Sequence, residues 1–103
     1  MVALVADRQA ELEALCSRYG VRRLELFGSA ATEEFDPTKS DLDFIVEFQP
    51  DHNLGPWMQG YFEFRDALAQ LFGYPVDLVM LSAMKNPYFV REANRTRRLL
   101  YGA

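Results

Sequence analysis

The sequence predicts an α/β fold in which helices cover one small mixed β-sheet, forming a single domain over residues 1–103. Its 103 residues are enough for one hydrophobic core and leave little room for a second. Half of the residues are hydrophobic and a quarter are charged, as in an ordinary globular domain. Apolar residues recur at helical spacing in some stretches and at strand spacing in others, and Gly and Pro separate these stretches.

The first half of the chain predicts one helix followed by two strands. Residues 4–19 have apolar side chains at helical spacing, and Gly20 is a plausible helix end. Residues 21–27 form the first predicted strand, and a short helical turn begins at Gly28. A loop over residues 36–40 leads to the clearest strand, residues 41–48. Its two faces alternate, with Leu42, Phe44, Val46 and Phe48 on one and Asp41, Asp43, Ile45 and Glu47 on the other.

The second half predicts a helix, a third strand and a last helix. Residues 57–72 form an amphipathic helix that ends at Gly73. Its apolar stripe is interpreted as core, with contact of its aromatic part to a partner as the alternative, and consists of Trp57, Tyr61, Phe64, Leu68 and Leu71. Residues 75–81 form the third strand, and Asn86 caps a last helix that has Pro87 in its first turn. The C-terminal arginines are interpreted as a solvated face of this helix, with contact to phosphate, RNA or an acidic partner as the alternative; they are Arg91, Arg95, Arg97 and Arg98.

Composition and charge exclude several classes of protein. No apolar run is long enough to span a bilayer, and the first residues lack a signal-peptide pattern, so we expect a cytoplasmic protein. The single cysteine, Cys16, cannot form an internal disulfide and suits a packed or surface thiol in a reducing compartment. A net charge of −4 argues against direct binding of nucleic acid. The only histidine, His52, lies in a polar loop and is interpreted as a surface residue.

Three carboxylates are candidates for a metal site. Asp41 and Asp43 are two apart on a strand and therefore face the same side. Their charges repel unless a proton or a cation intervenes, and Mg²⁺ is the natural partner for such oxygen ligands. Asp77 lies within an apolar strand, where a charge requires a partner or a metal. The alternatives are a solvated strand end for the pair and an Asp–Arg pair at a sheet edge for Asp77.

Gly28 and Ser29 are candidates for a phosphate-binding turn. Glycine has no Cβ and lets a phosphate approach the backbone, and a turn from strand to helix presents N–H groups to an anion. Ser29 adds a hydroxyl donor. A Gly-Ser pair alone is more often an ordinary turn. The joint pattern is more specific: Gly-Ser ends one strand, eleven residues follow, Asp-x-Asp opens the next strand, and a later strand holds one Asp.

This pattern resembles the minimal nucleotidyltransferases of the polymerase-beta superfamily, the MNT domains often encoded beside a HEPN-domain partner. The resemblance rests on residues 26–29, 40–48 and 75–79 and extends through residues 57–72 and 86–101. It implies a polymerase-beta-like fold in which Gly28 and Ser29 contact the triphosphate of ATP or another NTP. Asp41 and Asp43 would hold two Mg²⁺ ions, and Asp77 would complete this catalytic metal site near the incoming hydroxyl.

The resemblance also implies a reaction and a biological role. A hydroxyl of a partner protein would attack the α-phosphate of ATP, so that AMP is transferred and pyrophosphate leaves. The partner would be a HEPN toxin, which makes the chain an antitoxin. Many relatives carry Arg just after Gly-Ser, whereas this chain has Ala30, Ala31 and Thr32. Arg22, Arg23, Lys39 or the Arg-rich last helix are the candidates to replace that cation. Two alternative functions stay open: an inactive antitoxin that neutralises its partner by contact, and transfer of a nucleotide to a small molecule.

Overall fold

Four strands form one mixed sheet in the spatial order β3-β2-β1-β4. The structure is a computed structural model that describes residues 5–32, 41–51 and 53–102, so the predicted loop over residues 36–40 and His52 lie outside it. Its main elements are α1 (Gln9–Arg18), β1 (Val21–Phe27), β2 (Leu42–Phe48), α2 (Gln59–Phe72), β3 (Val76–Met80), α3 (Pro87–Thr96) and β4 (Arg98–Tyr101). Three short 3₁₀ turns lie at Gly28–Ala31, Pro56–Met58 and Leu81–Ala83. In this part of the chain, no helix is both long and apolar enough to cross a membrane.

The strand directions bring three strand ends to one edge of the sheet. Strand β1 is antiparallel to both β2 and β4, whereas β2 and β3 are parallel. Phe27 at the end of β1 pairs with Asp43 near the start of β2, and Asp43 in turn pairs with Asp77 near the start of β3. The predicted mixed sheet covered by helices is confirmed, and the Gly28 turn lies at the same edge as the three predicted carboxylates, with Asp41 directly before β2.

Helices α1 and α2 cover one face of the sheet and form the main core. The alternation predicted for β2 holds, since Leu42, Phe44 and Val46 are fully buried against Phe64 and Leu68 of α2. Cys16 of α1 is buried in the same cluster. Burial, with a contribution from Glu13, raises the pKa of the Cys16 thiol to about 12, so it is a packed thiol and not a reactive one.

Helix α3 covers part of the opposite face. Phe27, Ile45 and Ala93 form a second buried cluster, against which Val79 and Phe89 pack. Ile45 was predicted on the more polar face of β2, and it is buried there because α3 lies over that face. The helix begins as predicted: the Asn86 side chain accepts hydrogen bonds from the backbone N–H groups of Tyr88 and Phe89. The face of the sheet that carries Asp43 therefore also carries a small apolar cluster.

The prediction that the last helix carries all the terminal arginines was wrong. Helix α3 ends at Thr96, and residues 98–101 form β4, which pairs with β1. Arg97 follows the helix, and its guanidinium forms an ion pair with Glu25 in β1. The short run Leu99-Leu100-Tyr101 becomes a strand because β1 supplies its hydrogen-bond partners, a contact that local periodicity does not reveal.

The prediction that Trp57 is part of the core was also wrong. Helix α2 begins at Gln59, because Trp57 and Met58 have positive φ angles of 57° and 56° that interrupt the helical path. The Trp57 side chain is 94% exposed, whereas Tyr61, which follows it in α2, is half-buried. The apolar stripe of α2 therefore starts at Tyr61.

We expect Trp57→Ser to change the free energy of unfolding by no more than about 0.5 kcal/mol, because an exposed side chain without core contacts contributes little stability. Phe64→Ala in α2 is the matched control and should cost about 3–5 kcal/mol, since Phe64 is fully buried. Urea unfolding followed by circular dichroism measures both changes. Equal destabilisation by the two substitutions would contradict the placement of Trp57.

Candidate active site

The turn after β1 lies directly against the carboxylate of Asp43. Gly28 has a φ of +74°, and a Cβ built on it would lie 2.6 Å from Asp43 Oδ2. A residue with a side chain would be strained at this backbone angle, and its Cβ would clash with the Asp43 carboxylate. The Gly28 N–H donates a hydrogen bond of 2.8 Å to Thr96 Oγ1 at the end of α3. The turn is thus held between β2 on one side and α3 on the other.

The three predicted carboxylates come together beside this turn. Asp43 is half-buried and lies in register with Asp77 on the neighbouring strand, while Asp41 precedes β2; both Asp77 and Asp41 are exposed. Burial is the main cause that raises the pKa of Asp43 from 3.8 to about 6, and the negative charges of Asp77 and Asp41 add to the shift. The carboxylates therefore lie close enough to repel one another, as the sequence predicted. Their roles in binding a metal or a nucleotide stay predictions.

The donor set suits a hard divalent cation. Carboxylate oxygens are ligands that Mg²⁺ prefers, and a cation would relieve the repulsion that raises the pKa of Asp43. Within residues 5–32, 41–51 and 53–102, no three His, Cys, Asp or Glu side chains are arranged to hold a metal ion by themselves. This arrangement fits Mg²⁺, which is commonly bound by one or two carboxylates and takes its other ligands from substrate phosphates and water.

A cavity of about 470 Å³ lies between the Gly28 turn and α3. Its lining combines an aromatic and apolar wall, several hydroxyl groups and one pair of opposite charges, contributed by Phe27, Gly28, Ser29, Thr32, Phe89, Glu92, Ala93, Arg95 and Thr96. This volume lies within the usual range for small-molecule sites of roughly 300–1,000 Å³. Ser29 therefore faces a space of suitable size for a nucleotide. No local pattern pointed to Glu92 or Thr96, because both are far from Ser29 along the chain.

A buried ion pair fixes the end of α3 against β1. Glu25 is only 4% exposed, and its carboxylate accepts hydrogen bonds of 2.7 Å from Arg97 Nε and Nη2 and one of 2.9 Å from Arg23 Nε. The Arg97 hydrogen bond is the main cause that lowers the pKa of Glu25, against the opposing effect of burial. Arg97 follows Thr96 directly, so this pair holds Thr96 beside Gly28. The sequence gives one local signal for this ion pair, the charged Glu25 between Leu24 and Leu26 in a strand. That signal does not identify Arg97 as the partner.

The metal-dependent nucleotide binding that the sequence predicts should be abolished by Gly28→Ala, because the new Cβ would displace the Asp43 carboxylate. Gly73→Ala is the matched control, since Gly73 has a φ of +75° and a Cβ at this position would meet nothing within 4 Å. Both substitutions should lower stability by about 1–2 kcal/mol through backbone strain. Calorimetric titration with Mg·ATP separates them, and similar nucleotide affinities in the two variants would contradict the steric argument.

Comparison with known proteins places the chain in a family. The sequence model of the Nucleotidyltransferase domain matches residues 11–100. A Methanocaldococcus jannaschii protein named "Putative protein adenylyltransferase MJ0128" is 42% identical over 76 residues, which cover 72% of this chain and 70% of that protein. This identity extends through most of both chains and does not depend on one short motif.

Two solved structures show the same fold. A structure described as a "putative minimal nucleotidyltransferase" is 28% identical, has a TM-score of 0.70, and is matched over 91% of this chain and 90% of the other. A chain from a complex of a tri-AMPylated Shewanella oneidensis HEPN toxin with an MNT antitoxin has a TM-score of 0.64 at 18% identity, covering 95% of this chain and 72% of that one. The match over residues 11–100, together with the Gly28 turn and the acidic edge of the sheet, shows that the chain belongs to the nucleotidyltransferase domain family.

Proposed function

We propose that this nucleotidyltransferase uses Mg²⁺ and transfers AMP from ATP to a hydroxyl of a partner protein in the cytoplasm, and that the partner is a HEPN toxin. The observation that carries the proposal is the position of Asp43, which lies between the Gly28 turn and Asp77. A phosphate-binding turn beside paired carboxylates is the arrangement that metal-assisted phosphoryl chemistry requires. The adenylyltransferase name of the 42% identical relative supports AMP as the transferred group.

Each site residue has a distinct role in the proposed reaction. The Ser29 hydroxyl and the backbone of the Gly28 turn would bind the triphosphate, and Asp41 and Asp43 would hold two Mg²⁺ ions. When bound, these ions neutralise the charge that develops on the phosphate oxygens. Asp77 orients the acceptor hydroxyl and takes its proton. The acceptor oxygen forms a bond to the α-phosphorus while the bond from that phosphorus to the bridging oxygen breaks, and pyrophosphate leaves.

The partner would supply the acceptor hydroxyl. Asp41 and Asp77 are exposed at the edge of the sheet, so a side chain from a second protein can reach them. The solved complex of a tri-AMPylated HEPN toxin with an MNT antitoxin supports a HEPN protein as this partner. In that role the chain acts as an antitoxin through modification.

Neutralisation by contact alone is the second candidate function. Residues 28–34 contain no Lys or Arg, so the turn itself offers no positive charge to a triphosphate. Two large apolar side chains near the start of α2, Trp57 and Phe62, are 94% and 45% exposed and could contact another protein. This function requires no chemistry at Asp41 or Asp43, and it therefore predicts that variants without these carboxylates still neutralise the toxin.

Calorimetric titration with Mg·ATP tests the enzymatic proposal. The wild type should bind only when Mg²⁺ is present, and the Asp41→Asn/Asp43→Asn double variant should not bind. Asp51→Asn, at an exposed position outside the site, is the control for loss of one charge and should bind like the wild type. Mass spectrometry of a HEPN protein incubated with the chain and ATP then detects added AMP. Absence of binding and transfer by folded wild type, with the toxin still neutralised, would favour the contact function.

A further inference from the structure

We propose that Arg95 of α3 is the phosphate-binding cation of the active site and replaces the positive charge that the Gly28 turn lacks. This inference rests on the proposed function, because it concerns the triphosphate that the site would bind. Arg95 borders the same cavity as Gly28 and Ser29, although it is distant from them in sequence. It would therefore face an anion seated on the turn.

The backbone around Arg95 is fixed relative to the turn. The neighbouring residue Thr96 accepts the Gly28 N–H through its hydroxyl at 2.8 Å. The next residue, Arg97, forms the ion pair with the buried Glu25. Two successive residues thus anchor the last turn of α3, and they place Arg95 on the same cavity as Ser29 with little freedom of the backbone.

The other arginines near this edge already have partners. Arg97 is occupied by Glu25, and Arg98 Nε donates to the Ala31 carbonyl at 3.0 Å. Arg23 also donates to Glu25. Among the basic side chains at this edge that the structure describes, Arg95 is the one that lines the cavity.

The partner of Arg95 is one that a phosphate could replace. Arg95 Nη1 lies 3.3 Å from Glu92 Oε2, and these side chains are 71% and 70% exposed. Ion pairs that are this exposed contribute little stability. A guanidinium binds phosphate oxygens with two parallel hydrogen bonds, which is a stronger interaction than this surface pair. Glu92 therefore competes with the triphosphate for Arg95, and its negative charge repels the triphosphate. Substitutions of Glu92 and Arg95 should accordingly have opposite effects on nucleotide affinity.

Titration of Mg·ATP into three single variants tests the proposal. Arg95→Gln should weaken binding by about tenfold or more, as expected for loss of one charged hydrogen-bonding partner. Glu92→Gln should tighten binding, because it removes the competitor. Arg91→Gln is the matched control, since Arg91 lies one turn earlier on α3, stacks over the Tyr88 ring at 5.9 Å and does not line the cavity. Thermal unfolding verifies that each variant is folded.

Inorganic tripolyphosphate is the second probe and distinguishes the possible failures. Loss of affinity for both Mg·ATP and Mg·tripolyphosphate in Arg95→Gln alone would support a phosphate contact. Equal weakening in Arg95→Gln and Arg91→Gln would overturn the proposal in favour of a general charge effect. Wild-type binding that Arg95→Gln leaves unchanged would overturn the role of Arg95 and leave the proposed function standing. A folded wild type that binds neither probe would overturn both.

Discussion

Asp43→Asn is expected to abolish nucleotide transfer while making the metal-free protein more stable. The activity should fall by roughly a thousandfold or more, because several kcal/mol of transition-state stabilisation depend on the metal that this carboxylate would hold. The fold should persist, since Asn has the same shape and the half-buried carboxylate is repelled by Asp77 and Asp41. Transfer is measured with α-labelled ATP and a HEPN acceptor, and stability by urea unfolding in a chelator.

The stability change has a defined dependence on pH. The pKa of Asp43 is raised from 3.8 to about 6 in the folded protein, so protonation of this group favours the folded state. The stability that the protonated Asp43 contributes to the folded state is fully present below pH 3.8 and is lost as the pH rises through about 6. Asp43→Asn should therefore raise the free energy of unfolding at pH 7 by at most about 3 kcal/mol. The increase should be smaller than this limit, because solvent screens the repulsion at a half-buried group.

Asp51→Asn is the control for this prediction, because it removes the same charge from an exposed position outside the site. It should leave both transfer and the pH dependence of stability close to those of the wild type. Transfer retained by a folded Asp43→Asn variant would eliminate the proposed role of this carboxylate. A variant less stable than the wild type at pH 7 would show that the carboxylates do not repel one another.

Arg97→Met is expected to destabilise the fold by about 3 kcal/mol or more, because it takes away the main ion-pair partner of the buried Glu25 carboxylate and leaves Arg23. Glu25 has a lowered pKa, so its ion pairs contribute stability above its ordinary pKa of 4.5 and lose it as the pH falls through the lowered value. The difference between wild type and variant should therefore be large at pH 7 and shrink in acid. Urea unfolding across this pH range measures it.

Two further variants separate the ion pair from the loss of an arginine as such. Arg91→Met removes an exposed arginine from α3 and should change stability by no more than about 0.5 kcal/mol. Glu25→Leu/Arg97→Met replaces the two main partners with apolar side chains and should recover much of the lost stability. A double variant that is as unstable as Arg97→Met would show that packing, and not an uncompensated buried charge, explains the loss.

Local patterns predicted the part of the site that depends on neighbouring residues. The bounds of β1 and the buried face of β2, formed by Leu42, Phe44 and Val46, followed from residue identity and the two-residue repeat of a strand. The position of Asp77 required only that β3 pair with β2, as it does. Residues whose positions depend on distant contacts were missed. Arg97 and Glu25 are 72 residues apart, and Thr96 and Gly28 are 68 apart, so no local period relates them.

Trp57 illustrates the second reason for failure. Its spacing to Tyr61 fits a helix, but Trp57 and Met58 adopt left-handed backbone angles, which a non-glycine residue rarely does. The sequence therefore supported an apolar stripe one turn too long. The same limit applies to β4, where four residues are too few to show a period without the strand beside them.

Because Gly28 donates its hydrogen bond to Thr96, the Gly28 turn can be completed only late in synthesis of the chain. The ribosome synthesises the Gly28 turn and all three carboxylates before it adds Thr96, so the nascent chain carries the acidic edge without the helix end that holds the turn. Until that residue emerges, the wall of the cavity formed by α3 is absent. A chain cut before residue 87 would keep every residue of the Gly-Ser and Asp-x-Asp motifs and yet lack one side of the cavity beside the Gly28 turn.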